Sequence, residues 1–387
     1  MDVKNLNGQL IAYRFKPGAK TIVFIHALGS NQTIWDEVVG KLGGGYGTLT
    51  YDIRGHGFSG NSTTQFLIAD LADDLVALID SLDLKNIILC GVSIGGMIAQ
   101  SIAAKRPDLI DGLILMCTSA RIGSIGRWQE RINLVEENGV AGIADMVVNT
   151  WLSDEFKEKN PDKVALYSTL VSRTPDSGYI DACKALRDDN LTEQTRTISI
   201  PTLCVGGTAD LSVSAADMKS LADMIEGSDI KMFEGVGHIP SIEIPEKIAR
   251  LIENFAKRLD NTKNLGMTVR RSVLGDTHVD RAEANKTELE DAFQALITDG
   301  AWGTVWASNN ISRRERSMLT LALLAALGNF DEIPMHVRAT AKTGANERDI
   351  KEVFQHVAIY AGVPRANHAL KLTRQTLDKM KDQDGDT

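Results

Sequence analysis

Short extended runs separated by helix-period segments constrain the first 255 residues more than any other feature of the chain. Thr21–Ile25, Tyr46–Tyr51, Asn86–Cys90, Gly112–Met116 and Thr202–Val205 each read as a strand. Strands that are apolar without alternation are buried on both faces, so the segment predicts a parallel sheet covered by helices on both sides. Between the strands, Leu71, Leu75, Leu78, Ile79 and Leu82 recur at helical spacing and predict an amphipathic helix over 70–82. Residues 120–195 break the alternation. They are helical in composition, carry Trp128 and Trp151, and read as a helical cap inserted over the carboxyl edge of the sheet. A polar stretch at 256–266 then separates two periodicities. Beyond it, Leu319–Leu327 is an apolar helix stopped by Gly328, and Ile350, Val353, Phe354 and Val357 mark another. The expected organisation is an α/β domain over 1–257 and a small all-α domain over 267–387, with Lys381–Thr387 frayed. At roughly 150 residues per domain, a chain of 387 residues accommodates both.

Composition narrows the function classes. Apolar residues make up 43% and charged residues 24%, so the chain can bury an ordinary core. A net charge of −9 argues against binding a phosphate backbone, although a few local arginines suffice for a small anionic substrate. Cys90, Cys117, Cys183 and Cys204 form no CxxC pair and read as buried, reduced thiols rather than ligands. The N-terminus lacks a basic segment followed by an apolar one, and no run approaches the ~18 apolar residues of a membrane span, so a cytoplasmic protein is expected. No motif calls for a metal or an organic cofactor.

Gly91-Val92-Ser93-Ile94-Gly95 is a G-x-S-x-G motif between an apolar strand and a helix-like segment. In that context the motif forms a sharp turn that pushes the serine hydroxyl to the end of the sheet. A serine hydroxyl needs a base to take its proton and an acid to orient the base. Asp210 follows the strand at Thr202–Val205, and His238 precedes a helix beginning near Pro245. The order Ser93, Asp210, His238 is that of an α/β-hydrolase. Asp217 is a weaker competitor because it lies inside a helix-like stretch. The oxyanion requires two N–H donors, which the backbone of Ile94 and of Leu28 would supply. His26, Arg54 and His56 read as groups that stabilise the neighbouring loops.

The stretches HALGS (26–30), DIRGHGFS (52–59), GVSIGG (91–96), GGTAD (206–210) and GVGHIPSIEIPE (235–246) resemble the α/β-hydrolase superfamily over residues 1–257. Within it, Trp128-Gln129-Glu130-Arg131-Ile132 and Trp151 resemble the 3-oxoadipate enol-lactone hydrolases. That resemblance implies substrate binding by Trp128, Arg131 and Trp151. Those enzymes usually carry Arg-Trp-Phe where this chain has Thr150-Trp151-Leu152, which leaves Arg131 and Arg127 as the cap cations for a substrate carboxylate.

Residues 267–387 resemble the 4-carboxymuconolactone decarboxylases through residues 269–275, Arg313–Ser317, Leu319–Gly328, His336–Ala339 and Ala358–Pro364. The resemblance implies the helical alkylhydroperoxidase D-like fold and homo-oligomers formed through this domain. Thiol peroxidases of that fold use a CxxC pair, and residues 267–387 contain no cysteine. The remaining residues suit a decarboxylation without cofactor. His336, with an ordinary pKa of about 6.5, is the expected proton donor. Glu332 lies four residues earlier, on the same face if the segment is helical, with Pro334 in the first turn and Asp331 as cap. Arg316, or Arg313 or Arg314, would hold a substrate carboxylate.

Jointly, the two resemblances imply consecutive steps of protocatechuate breakdown on one chain. The decarboxylase product, 3-oxoadipate enol-lactone, is the hydrolase substrate, and both substrates are small lactone carboxylates. The competing reading is a general esterase or C–C hydrolase whose C-terminal domain only assembles the chain. Serine rather than aspartate at the elbow disfavours dehalogenase and epoxide hydrolase chemistry.

Overall fold

The computed structural model of the chain describes residues 1–62 and 64–384. Its contacts divide into two units, Met1–Leu259 and Asp260–Thr387.

The first unit is built on eight strands: β1 (Asp2–Leu6), β2 (Gln9–Lys16), β3 (Lys20–Ile25), β4 (Tyr46–Tyr51), β5 (Ile87–Val92), β6 (Ile110–Met116), β7 (Thr202–Gly207) and β8 (Asp229–Phe233). Their order is β1-β2-β4-β3-β5-β6-β7-β8. From β4 to β8 every pairing is parallel, whereas β1–β2 and β2–β4 are antiparallel. The sheet is therefore mixed rather than wholly parallel. The β1–β2 pairing follows from a two-residue turn at Asn7-Gly8, both at positive φ, which sends the chain straight back on itself. The central strands β5 and β6 are buried almost throughout, as their unbroken apolar runs require.

Helices cover both faces. The helix expected over 70–82 spans Ile68–Ser81 and buries Leu71, Leu75, Leu78 and Ile79. Trp35, Tyr51, Phe24 and Phe66 are fully buried in one continuous core, with the Phe24 and Trp35 rings 5.0 Å apart. Each such side chain contributes about 1.5–3 kcal/mol of burial. All four cysteines are buried and free. Between β6 and β7 the chain is helical from Ile125 to Thr195. The longest of these helices, Ile125–Trp151, breaks at Gly139, whose φ of 66° and ψ of 166° lie outside the helical region. Asp176 Oδ1 accepts the N–H of Val140 at 2.7 Å and restarts the helix there.

The polar stretch at 256–266 lies inside the helix Pro245–Leu274 rather than forming a break. It contains no proline and only one glycine, so nothing in it opposes helix.

The second unit comprises the end of that helix and the helices Asp276–Ala284, Glu288–Ile297, Arg313–Leu327, Ile333–Thr343, Glu347–Tyr360 and Val363–Asp384, with a π-helical segment at Thr298–Val305. Ser312 and Glu315 close a capping box on Arg313–Leu327, and Gly328 ends that helix at φ +84°. Ile350, Val353, Phe354 and Val357 meet Leu321, Ile333 and Val337 in one apolar cluster. Val269, Val273, Trp302, Trp306 and Ala339 form another. The last helix includes Lys381–Asp384, and Gly385–Thr387 of the expected frayed tail lie outside the described residues. Among the described residues no helix is long and apolar enough to cross a membrane.

Candidate active sites

Ser93 sits between β5 and the helix Ile94–Lys105 with φ 58° and ψ −123°. A non-glycine residue at positive φ is strained, and here the surroundings enforce it. The Ser93 N–H donates to the Met116 carbonyl at 3.0 Å, and Thr118 Oγ1 donates to the Ser93 carbonyl at 2.7 Å. The turn closes only because its flanks are glycine. A Cβ on Gly91 would lie 2.2 Å from the Gly95 carbonyl oxygen, and one on Gly95 would lie 2.5 Å from that of Ile25.

Asp210 divides its carboxylate between two tasks. Oδ1 accepts the N–H groups of Ser212 and Val213 at 2.7 and 3.0 Å, while Oδ2 accepts from His238 Nδ1 at 2.8 Å. Burial opposes its ionisation, but His238 and the two N–H groups outweigh burial and hold the carboxyl below its ordinary range. With Nδ1 donating to Asp210, the other imidazole nitrogen keeps its lone pair. Asp217 instead caps its own helix with Ser214.

Cys117, Asp210 and His238 place potential metal-ligand atoms within 4.8 Å of one another. Burial, then Asp210, pushes the Cys117 thiol well up. The Asp210 carboxylate is already bonded to His238 Nδ1 and to the N–H groups of Ser212 and Val213, so the group reads as a hydrogen-bonded pair lined by a thiol.

Ser93 and His238 line one chamber of about 30 Å³ together with Leu28, Trp128, Arg131 and Trp151. Among the described residues, no protein acceptor is engaged by the backbone N–H of Leu28 or of Ile94. Both are free for an oxyanion. The loop bearing Leu28 is fixed from behind: His26 Nε2 accepts the N–H of Ile53, and His56 Nε2 accepts the N–H of Gly29, both at 3.0 Å. Arg54 grips Asp74 through two bonds of 2.6 Å.

The chamber also holds Arg127, Tyr179, Thr150 and Ser212. Arg131 Nη1 donates to Tyr179 Oη at 3.1 Å, and Arg127 Nη1 donates to the Ser212 carbonyl at 3.3 Å. Trp128 Nε1 donates to the Ile122 carbonyl at 2.6 Å, which fixes its ring as a wall. The lining carries two guanidinium groups and no carboxylate. Tyr179 escaped sequence reasoning because it lies in a helix that carries no motif.

The second unit departs further from expectation. His336 is mostly buried. Burial, reinforced by His278, lowers it to about 4, so it is neutral near pH 7 rather than a ready acid. Glu332 ends a 3₁₀ turn and itself takes the cap position expected of Asp331, with no side-chain capping bond. Arg316 is directed elsewhere: Nη2 donates to the Ser308 carbonyl at 2.9 Å. Arg314 pairs with Asp349. The charged groups facing His278 are Arg281, Arg270, Arg338 and Glu332. His278 is the group that sequence reasoning missed. Its only signal was its position just beyond the stretch 269–275 already noted. His356 and His368 are exposed; the His356 ring lies tilted against Tyr360, and His368 stacks on Phe330.

Comparison with known proteins agrees with both units. Residues 22–251 match the Alpha/beta hydrolase family, and residues 291–375 match the Carboxymuconolactone decarboxylase family. The 3-oxoadipate enol-lactonase 2 of Acinetobacter baylyi is 31% identical over 239 residues, which cover 62% of this chain and 89% of that protein. The 4-carboxymuconolactone decarboxylase of the same organism is 39% identical over 110 residues, 28% of this chain and 82% of that protein. The chain is a fusion of an alpha/beta hydrolase and a carboxymuconolactone decarboxylase family member. In the fusion's first unit the likeness extends to three dimensions. The crystal structure of the enol-lactonase from Burkholderia xenovorans LB400 matches with a TM-score of 0.64 at 29% identity, covering 66% of the fusion and all of that chain.

Proposed function

We propose that the fusion carries out two consecutive steps. Its second unit decarboxylates 4-carboxymuconolactone to 3-oxoadipate enol-lactone, and its first unit hydrolyses that lactone to 3-oxoadipate. In the hydrolytic step, His238 takes the proton of Ser93, whose oxygen attacks the lactone carbonyl. The N–H groups of Leu28 and Ile94 receive the developing oxyanion. The ring oxygen leaves as the enol, which becomes the ketone, and water then releases the acyl group from Ser93.

The observation that carries this reading is the lining around Ser93 and His238: two arginines, two tryptophans and no carboxylate. A general esterase has no need of two cations there, whereas a lactone bearing an acetate arm does. Trp128, Trp151 and Arg131 then bind the substrate.

An ultraviolet assay with 4-carboxymuconolactone tests the pair of activities. Ser93→Ala is expected to release CO2 and accumulate enol-lactone, and His336→Ala to spare hydrolysis of added enol-lactone. If neither variant separates the two steps, the two-site reading fails.

The second unit is also proposed to form homo-oligomers. Leu319, Leu323 and Leu327 lie along one helix and are 54%, 60% and 68% exposed, an apolar stripe that water disfavours. Sedimentation at micromolar concentration would show a monomer if this is wrong.

A further inference from the structure

His278 is the third residue of the helix Asp276–Ala284, whose N-cap Gly275 takes a φ of +90°. Arg281 follows it by one turn on the same face. Packing brings two other segments to it. Val269 and Val273 share a buried cluster with Ala339, so the helix carrying Arg270 lies against the helix carrying His336 and Arg338. The charged groups that act on His278 are Arg281, Arg270, Arg338 and Glu332, and His278 in turn acts on His336.

These cations are not equivalent. Arg270 is only 6% exposed, and its guanidinium is engaged by Glu283 at 2.8 Å and Gln294 at 3.2 Å. Arg281 and Arg338 are exposed, and among the described residues their guanidinium groups have no protein acceptor. Two unengaged arginines against the single carboxylate of Glu332 leave a positive surplus beside two imidazoles. Such a place attracts an anion.

We propose that His278 is the proton carrier of the second site, that His336 beside it donates an N–H to the enolate oxygen, and that Arg281 and Arg338 bind a carboxylate of the substrate. This rests on the decarboxylase reading above. In the reaction the bond between the ring carbon and its carboxylate breaks and CO2 leaves. The bonding pair moves through the ring double bond onto the lactone carbonyl oxygen. A proton then adds to the ring carbon next to that carbonyl, and the C=O re-forms. One proton is consumed and must come from the protein or from water. His336 is suited to the oxygen, because a neutral imidazole still offers an N–H. His278 is half-buried and open to solvent. Burial and the three arginines lower its proton affinity against the smaller opposing effect of Glu332, so a substrate carboxylate bound by Arg281 and Arg338 offsets the repulsion and favours its protonation.

The test uses the full chain with 4-carboxymuconolactone, and also with its ring-saturated analogue, which lacks the double bond and is inert. Calorimetry in two buffers of different ionisation enthalpy reads proton uptake on binding the analogue near pH 7. Wild type and His336→Gln are expected to take up a proton, and His278→Gln to take up none. His278→Gln should lower kcat for CO2 release by about 100-fold or more with KM nearly unchanged. Arg281→Met, at an exposed position that the fold does not need, should raise KM by about tenfold. His278→Gln with wild-type kcat and wild-type proton uptake would overturn the proposal, as would Arg281→Met with unchanged KM. If wild type releases no CO2, the decarboxylase reading fails separately. The analogue then still decides whether His278 is a carboxylate-coupled proton acceptor.

Discussion

The backbone N–H of His238 donates to the carbonyl of Trp151 at 2.7 Å, which fastens the loop bearing His238 to the end of the long cap helix. Glu243 reinforces the joint. Its Oε1 accepts the N–H groups of Ser153 and Gly237, and its Oε2 accepts the Ser153 hydroxyl. The cap wall and His238 are thus positioned by the same contacts.

Glu243→Ala removes the acceptor from two partly buried N–H groups. We expect a loss of about 1–3 kcal/mol in denaturant unfolding of the first unit. A roughly tenfold fall in lactone hydrolysis should accompany it, while CO2 release is unchanged. Parallel losses in both activities would show that Glu243 acts on the whole chain instead.

Asp210→Asn keeps the shape of the site but loses the charge that orients His238. Hydrolysis should fall by roughly 10³–10⁴-fold in kcat with KM little altered. A tenfold effect or less would remove Asp210 from the acid's role.

Ser93 occupies positive φ, so its substitutes should differ in stability as well as in lacking a nucleophile. Ser93→Gly is expected to be more stable than Ser93→Ala by about 1 kcal/mol, because only alanine keeps the Cβ that opposes this conformation. Both should be inactive toward enol-lactone. Thermal unfolding of the two variants under one condition checks the order.

Arg131→Met should raise KM for the enol-lactone by about tenfold or more while leaving a neutral aryl ester unaffected. Arg127→Met provides the comparison. If both variants lose the neutral ester equally, the arginines act on the cap and not on substrate charge.

The loop behind the oxyanion site should fail in acid. Burial lowers His26 to about 4 and His56 to about 3, each below the ordinary value of about 6.5. As pH falls below about 6.5, the unfolded chain binds protons before the folded one. The stabilisation present above that pH is therefore lost progressively toward pH 4 and below. Denaturant midpoints of the first unit at pH 7, 5 and 4 should decline in that order, and a flat profile would contradict the buried neutral pair.

Much of this was legible in residues alone where the cause is local. Gly91, Ser93 and Gly95 specify a turn whose crowding rules out side chains on either flank, and unbroken apolar runs specify buried strands. Gly328 ends its helix because it alone takes a left-handed conformation cheaply. The edge hairpin at Asn7-Gly8 went unread although Asn-Gly is a turn dipeptide, because β1 is mostly polar and exposed. β8, with Asp229, Ile230 and Lys231 exposed, is a strand only because β7 offers it a partner.

What tertiary structure alone decided is which distant groups meet. Nothing near Trp151 announces that its carbonyl will hold His238, and nothing near His336 announces His278. Those neighbours are set by how Val269, Val273 and Ala339 close into one apolar cluster, and by where the cap helix ends against the sheet. The same packing moved His336 from the expected acid to a neutral donor, because desolvation depends on the whole surroundings of a side chain and not on its place in the sequence.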